Sequence, residues 1–144
     1  MLAVSSGSRY ALRALLELAE HGSETPVSIQ ALATAQDISP KYLENIFSQL
    51  KKSGILRSFK GPRGGYKLSK SPAYITLFEI VEAVDGPLIT VNCVKDPSIC
   101  TRSDSCLART VWGDLMDHMV DFLRTRTLAE VLSQTSSSAI YQHV

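Results

Sequence analysis

A continuous apolar run is what this sequence most conspicuously lacks: no stretch is long enough to span a bilayer, and the N-terminus carries no basic-then-hydrophobic signal pattern. Those absences point to a cytoplasmic protein with no membrane partner. Charge of one sign is also missing, since the formal net charge is only +1. Any nucleic-acid surface must therefore come from local clustering. Cysteine is scarce and odd in number: Cys93, Cys100 and Cys106 cannot all pair, and their C-x6-C-x5-C spacing is not the paired CxxC of a zinc knuckle. No histidine lies near them in sequence, which argues against a thiol enzyme needing an adjacent base. At 144 residues the chain fits one compact domain, with room for one projecting element.

What is present is clustered. Lys41, Lys51, Lys52, Arg57, Lys60, Arg63, Lys67 and Lys70 fall within one short region, around the stretch from Ser39 to Leu68. Ser39 suits a helix N-cap and Pro40 its first turn, while Leu43, Ile46, Phe47 and Leu50 recur at the spacing of one buried face. The opposite face carries Lys41, Tyr42, Glu44, Asn45, Ser48, Gln49, Lys51 and Lys52, a mixture of positive charge and side chains able to read base edges. Gly54 ends that helix, and Ile55 to Phe59 with Tyr66 to Leu68 form a hairpin whose tip is Lys60-Gly-Pro-Arg-Gly-Gly. Glycines at the tip allow close approach to phosphate, and Lys60 and Arg63 neutralise charge or enter the minor groove. A glycine-rich turn alone is weak evidence, and no strand-to-helix crossover follows to suit a nucleotide-binding loop.

Upstream, Ser8 to Glu20 is helical by its stripe of Ala11, Ala14, Leu15, Leu18 and Ala19, with His21, Gly22 and Ser23 ending it. Ser28 caps a short second helix whose Ile29, Leu32 and Ala33 face inward. Gln36 and Asp37 make a polar turn, and Ile38 plugs the angle before Ser39. Two short helices and a tight turn, followed by a hairpin, form a winged helix-turn-helix. The fold class expected is mostly α with a small β-hairpin wing and a long dimerisation helix. Tyr42 either reads bases or packs beside the wing.

Downstream, Ser71-Pro72 breaks the chain, Thr76 and Glu79 form a capping box opening a helix over Leu77 to Val84, and Gly86-Pro87 closes it. From Ile89 to Ser105 periodicity disappears, and the stretch reads as a long loop around the cysteines. Asp104 or Ser105 is expected to cap a helix running to about Arg124, roughly 30 Å long at 1.5 Å per residue. Its Val111, Trp112, Leu115, Met119 and Phe122 are expected to pair with the same helix of a second copy, in a homodimer that presents two reading helices to successive grooves. Thr127 and Glu130 start a short helix through Leu132. The expected division is a DNA-binding unit over 1–86, a cysteine-containing sensor loop over 87–105, the dimerisation and short C-terminal helices over 106–132, and a mobile tail over 133–144.

The thiols themselves admit several chemistries. Three thiolates on a flexible loop suit a cluster of iron and sulfide, and Cys106 near a helix N-terminus is favoured as thiolate. Inert buried cysteines, zinc completed by a histidine or carboxylate, and a redox disulfide with one thiol left over all stay open. His21, His118 and His143 are isolated.

As a set, SRYALRALLELA, SPKYLENIFSQLKKSGIL, KGPRGGYKL, ITLFEIVEAVDGP and the three-cysteine loop cover nearly all of the chain. The chain resembles the iron-sulfur-dependent winged-helix regulators of the IscR, NsrR and RirA kind. The resemblance implies a homodimeric, non-enzymatic transcriptional regulator, usually a repressor, on double-stranded operator DNA, with a 2Fe-2S or 4Fe-4S cluster on Cys93, Cys100 and Cys106. It implies DNA contacts from Tyr42 and Glu44 and from Lys60, Gly61, Pro62 and Arg63. With the helix face and cap added, the candidate DNA-binding set is Ser39, Lys41, Tyr42, Glu44, Asn45, Ser48, Lys52, Lys60, Gly61, Pro62, Arg63 and Gly64. Where IscR-like members place a histidine ligand this sequence has Arg109, and where NsrR-like members use an aspartate it has Arg9. The fourth ligand is thus unassigned, with Asp96, Asp104, a partner residue or an exogenous ligand as candidates. A same-fold regulator using thiol oxidation or zinc is the alternative.

Overall fold

A computed structural model of the chain describes residues 4–21, 24–89 and 91–134. The expected helix end at Gly22 and Ser23, His143 and most of the expected tail lie outside them. Helix α1 (Ser6–Glu20) starts one turn's fraction earlier than its apolar stripe, because Ser5 Oγ accepts from Ser8 N at 3.0 Å and caps it. Helix α2 (Ile29–Gln36) is capped by Ser28, whose Oγ accepts from Ala31 N at 3.1 Å. Asp37 then takes the left-handed conformation, with φ of 53°, and turns the chain so that Ile38 is buried. Helix α3 (Pro40–Lys52) follows, capped by Ser39. The angle between α2 and α3 is therefore held by one polar turn and one apolar plug.

Strands β1 (Leu56–Phe59) and β2 (Gly65–Leu68) pair antiparallel in the register Leu56 with Leu68 and Phe59 with Gly65. A short helical turn over Pro72–Tyr74 leads into α4 (Leu77–Asp85). Here the capping box forms in full: Thr76 Oγ1 accepts from Glu79 N, and Glu79 Oε2 accepts from Thr76 N at 2.9 Å. The core is one cluster, in which Leu15, Leu18, Leu32, Leu43, Phe47, Leu50, Ile55, Ile75 and Ile80 are fully buried. Helix α7 (Leu128–Gln134) reaches back to it, since Leu128 is fully buried and Leu128 N donates to Ile75 O at 3.0 Å. The expected box at Thr127 and Glu130 is present. The helix continues past Leu132, so 133–134 are helical, not tail.

Two further differences from the sequence reading matter. The stretch around the cysteines is not structureless: it holds α5 (Asn92–Lys95) and short turns over Pro97–Ile99 and Ser103–Ser105. Turns of three or four residues are too brief to show a helical period. Helix α6 (Leu107–Thr125) is preceded by Cys106 with no side-chain cap, because Asp104 and Ser105 are spent in the turn before it. None of its residues is buried, and Leu107, Val111 and Phe122 are 85%, 58% and 56% exposed. Among the described residues, no helix is long and apolar enough to cross a membrane.

Candidate nucleic-acid interface and cysteine loop

Helix α3 separates its two faces cleanly. Leu43, Ile46, Phe47 and Leu50 are buried, while Ser39, Lys41, Tyr42, Glu44, Asn45, Ser48 and Lys52 are exposed. The wing is fixed to this helix by the Tyr66 ring, which stands edge-on to Phe47 with centroids 5.0 Å apart. It is also stitched to the connection before α2: Val27 N donates to Tyr66 O at 3.0 Å, and Tyr66 N to Val27 O at 2.8 Å. Gly65 makes that approach possible. A Cβ there would lie 2.2 Å from Val27 O, and its φ of +150° is one that side chains avoid. At the tip, Lys60, Gly61, Pro62 and Arg63 are exposed and Gly64 is half-buried. The structure thus brings the helix face and the wing tip onto one rigid frame.

Not every basic residue of the cluster is presented. Lys67 donates to Glu24 O at 3.1 Å and lies over the Phe59 ring, and Lys70 pairs with Glu79 at 2.7 Å. Tyr42 is 37% exposed and packs on α1 instead of beside the wing: its ring meets Tyr10 edge-on at 5.8 Å, and its hydroxyl lies 3.2 Å from Ser6 Oγ. Ser5 in turn hydrogen-bonds the Asp85 carboxylate at the end of α4 through its backbone N and its hydroxyl. A hollow of about 260 Å³ between Ser6, Tyr42, Gln49 and Asp85 marks this junction. Sequence reasoning missed it, because the partners are far apart in the chain.

The cysteine loop sits between α4 and α6. Cys93 lies on α5 and is half-buried, Cys100 is exposed, and Cys106 is half-buried at the N-terminus of α6; all three are unpaired thiols. As donors they suit soft metals and iron-sulfur chemistry. As placed they do not form such a site: among the described residues, no three cysteine, histidine, aspartate or glutamate side chains converge to hold a metal. Asp96, a candidate fourth ligand, is turned to Ser98, accepting from its N at 3.0 Å and its Oγ at 2.7 Å, and these bonds hold its carboxyl below the usual range. His21 and His118 each bond a carbonyl of their own helix through Nδ1. Arg109 reaches from α6 into the loop, donating from Nε to Cys93 O at 2.9 Å and from Nη1 toward Ser103 O at 3.5 Å.

A family model described as Rrf2, iron-dependent transcriptional regulator, matches residues 4–134. The chain is 39% identical over 130 residues to the HTH-type transcriptional regulator IscR of Pectobacterium carotovorum, spanning 90% of this chain and 79% of that one. It is also 39% identical over 133 residues to Protein rrf2 of Nitratidesulfovibrio vulgaris, spanning 92% and 89%. Among solved structures it is similar to CymR, the global cysteine regulator of B. subtilis, with a TM-score of 0.77, 31% identity and coverage of 92% and 98%. It is similar to T. potens IscR with a TM-score of 0.77, 28% identity and coverage of 99% and 94%.

Proposed function

Because the chain belongs to the Rrf2 family of DNA-binding, non-enzymatic transcriptional regulators, we propose that it is a homodimeric repressor whose operator affinity follows the state of Cys93, Cys100 and Cys106. In this reading residues 1–86 bind DNA, 87–105 sense, and α6 with α7 pairs the subunits. Glu44, Asn45, Ser48 and Tyr42 read base edges, and Ser39, Lys41, Lys52 and the wing tip from Lys60 to Gly64 engage phosphate and groove. The carrying observation is that α4, which packs on both α1 and α3, leads directly into the cysteine loop, and the loop leads directly into α6. A change in the loop therefore bears on the reading helix and on the subunit contact together. Tyr42, Ser6, Ser5 and Asp85 supply a hydrogen-bonded route along the same junction.

The signal proposed is loading of a 2Fe-2S or 4Fe-4S cluster on the three thiols, supported by their donor type and by the IscR relatives. A second reading is a same-fold regulator that senses by direct thiol oxidation or zinc, without iron; the failure of three donors to converge among the described residues favours its thiol-oxidation form and counts against zinc as it does against the cluster. Anaerobic purification with iron and sulfide analysis, then reconstitution and operator selection with loaded and unloaded protein, separates the two. Visible absorption with matched iron and sulfide supports the cluster. Folded protein with intact thiols and no such absorption leaves the direct-thiol regulator.

A further inference from the structure

Arg109 is the third residue of α6, half-buried, and its guanidinium touches the loop at two points ten residues apart, the carbonyls of Cys93 and Ser103. Among the described residues, the loop's own backbone bonds are all local: Val94 N to Val91 O, Asp96 N to Asn92 O, Ile99 N to Asp96 O, Cys100 N to Pro97 O, Ser103 N to Cys100 O and Ser105 N to Arg102 O. None of them ties the Cys93 end to the Cys106 end. Arg109 does, with charge-assisted bonds worth more than neutral ones. The state it holds is an incompletely satisfied one. Ser103 is 6% exposed, and its hydroxyl has no hydrogen-bond partner among the described residues. The three thiols in that state do not converge.

The far end of α6 offers little freedom to relieve this. Leu77 N donates to Arg126 O at 2.9 Å, and the Arg124 guanidinium lies 4.5 Å over the Phe78 ring. At the loop end, the Arg109 side chain bridges the two elements.

We propose that Arg109 is a positioning residue that latches the cysteine loop with its thiols apart, and that the loop reaches a metal-holding arrangement only when this latch opens. The consequence for transcription rests on the reading that the cysteines carry the signal; the latch itself does not. The test uses the reduced, full-length protein under anaerobic conditions. Cobalt(II) is titrated while the thiolate-to-cobalt charge-transfer band is followed, and alkylation of Cys93 by iodoacetamide is timed separately. Arg109→Ala should tighten cobalt binding and quicken alkylation, each about tenfold, the scale of one lost charge-assisted hydrogen bond. Arg109→Lys keeps the charge but cannot bridge both carbonyls, and should fall between. The exposed Arg102→Ala removes a nearby charge without touching the latch, and should match the unaltered protein. Arg109→Ala equal to the unaltered protein, or Arg102→Ala equal to Arg109→Ala, overturns the proposal. Should Arg109→Ala fail to fold, Arg109→Lys decides it, and unchanged cobalt affinity and alkylation rate overturn the latch. Operator binding of the same proteins, before and after alkylation, keeps the two readings apart. Binding that ignores alkylation throughout, alongside faster Cys93 alkylation in Arg109→Ala, supports the latch and removes the signalling role.

Discussion

On the proposed DNA-binding surface, the wing-tip cations and the α3 carboxylate are expected to do different work. Lys60 and Arg63 stand exposed at a glycine-rich tip, where their charge can displace condensed counterions whatever the base sequence. Glu44 stands on a packed helix whose opposite face is wholly buried, so its carboxylate is held at a defined depth and can accept from a cytosine amine. Lys60→Ala or Arg63→Ala should weaken binding to operator and random duplex alike and lower the slope of log K against log salt by about one. Glu44→Ala should alter base preference at one position of each half-site by about 1–3 kcal/mol, with the salt slope unchanged. Salt-titrated fluorescence anisotropy on operator, single-mismatch and random duplexes checks both. Equal losses on all three duplexes for Glu44→Ala would remove its reading role. The exposure of Glu44 was legible in the sequence because it follows directly from the buried period of α3. The anchoring of Tyr42 by Tyr10 and Ser6 was not, since no local pattern couples positions more than thirty residues apart.

Among the elements, the long amphipathic ones were readable, while turns of three or four residues and contacts across the fold were not. The caps at Ser28, Ser39, Thr76 and Thr127 all form, because each rests on a side chain and an amide three residues away. The third edge of the wing, the Val27 and Tyr66 bridge, depends on a contact across the fold and left only Gly65 as a trace. Gly65→Ala should therefore cost about 2–3 kcal/mol, from a forbidden φ and a clash with Val27 O, and lower the urea midpoint with little change in slope. The α4 box adds a pH signature. Partial burial pushes the Glu79 carboxyl upward, but the Lys70 ammonium, the Thr76 amide and the Thr76 hydroxyl outweigh it and leave its pKa below the usual 4.5. A carboxylate lowered by folding stabilises above its unfolded pKa, and that contribution fades as pH falls through the folded value. Denaturation midpoints should thus separate in favour of the unaltered protein over Glu79→Gln at neutral pH, and converge as pH falls through the lowered carboxyl value. A constant difference at every pH would assign the effect to packing alone.

At the scale of the whole molecule, α6 is the element least explained by one chain. It is nineteen residues long, about 28 Å at 1.5 Å per residue, and it buries none of them. Leu115 and Met119 are half-buried against the body, while Leu107, Val111 and Phe122 face outward on a surface that a monomer would leave wet. Large exposed apolar side chains aligned along one helix mark a contact surface. A second copy suits it, because a two-fold pair would also present two α3 helices, and successive major grooves lie about 34–36 Å apart. On this proposal, Val111→Glu introduces a charge on the pairing face but at a site already 58% exposed within the chain. Fold stability at high dilution should then change by less than about 0.5 kcal/mol. Self-association should weaken by about 2 kcal/mol or more, roughly thirtyfold in the dissociation constant. Sedimentation equilibrium and the concentration dependence of Tm read the two effects separately. The variant should also lose the preference for paired half-sites while keeping weak, salt-sensitive binding through single wings. A monomeric unaltered protein at micromolar concentration, or a Val111→Glu dimer of undiminished strength, would instead place the pairing surface elsewhere and return α6 to the role of a strut between the cysteine loop and α4.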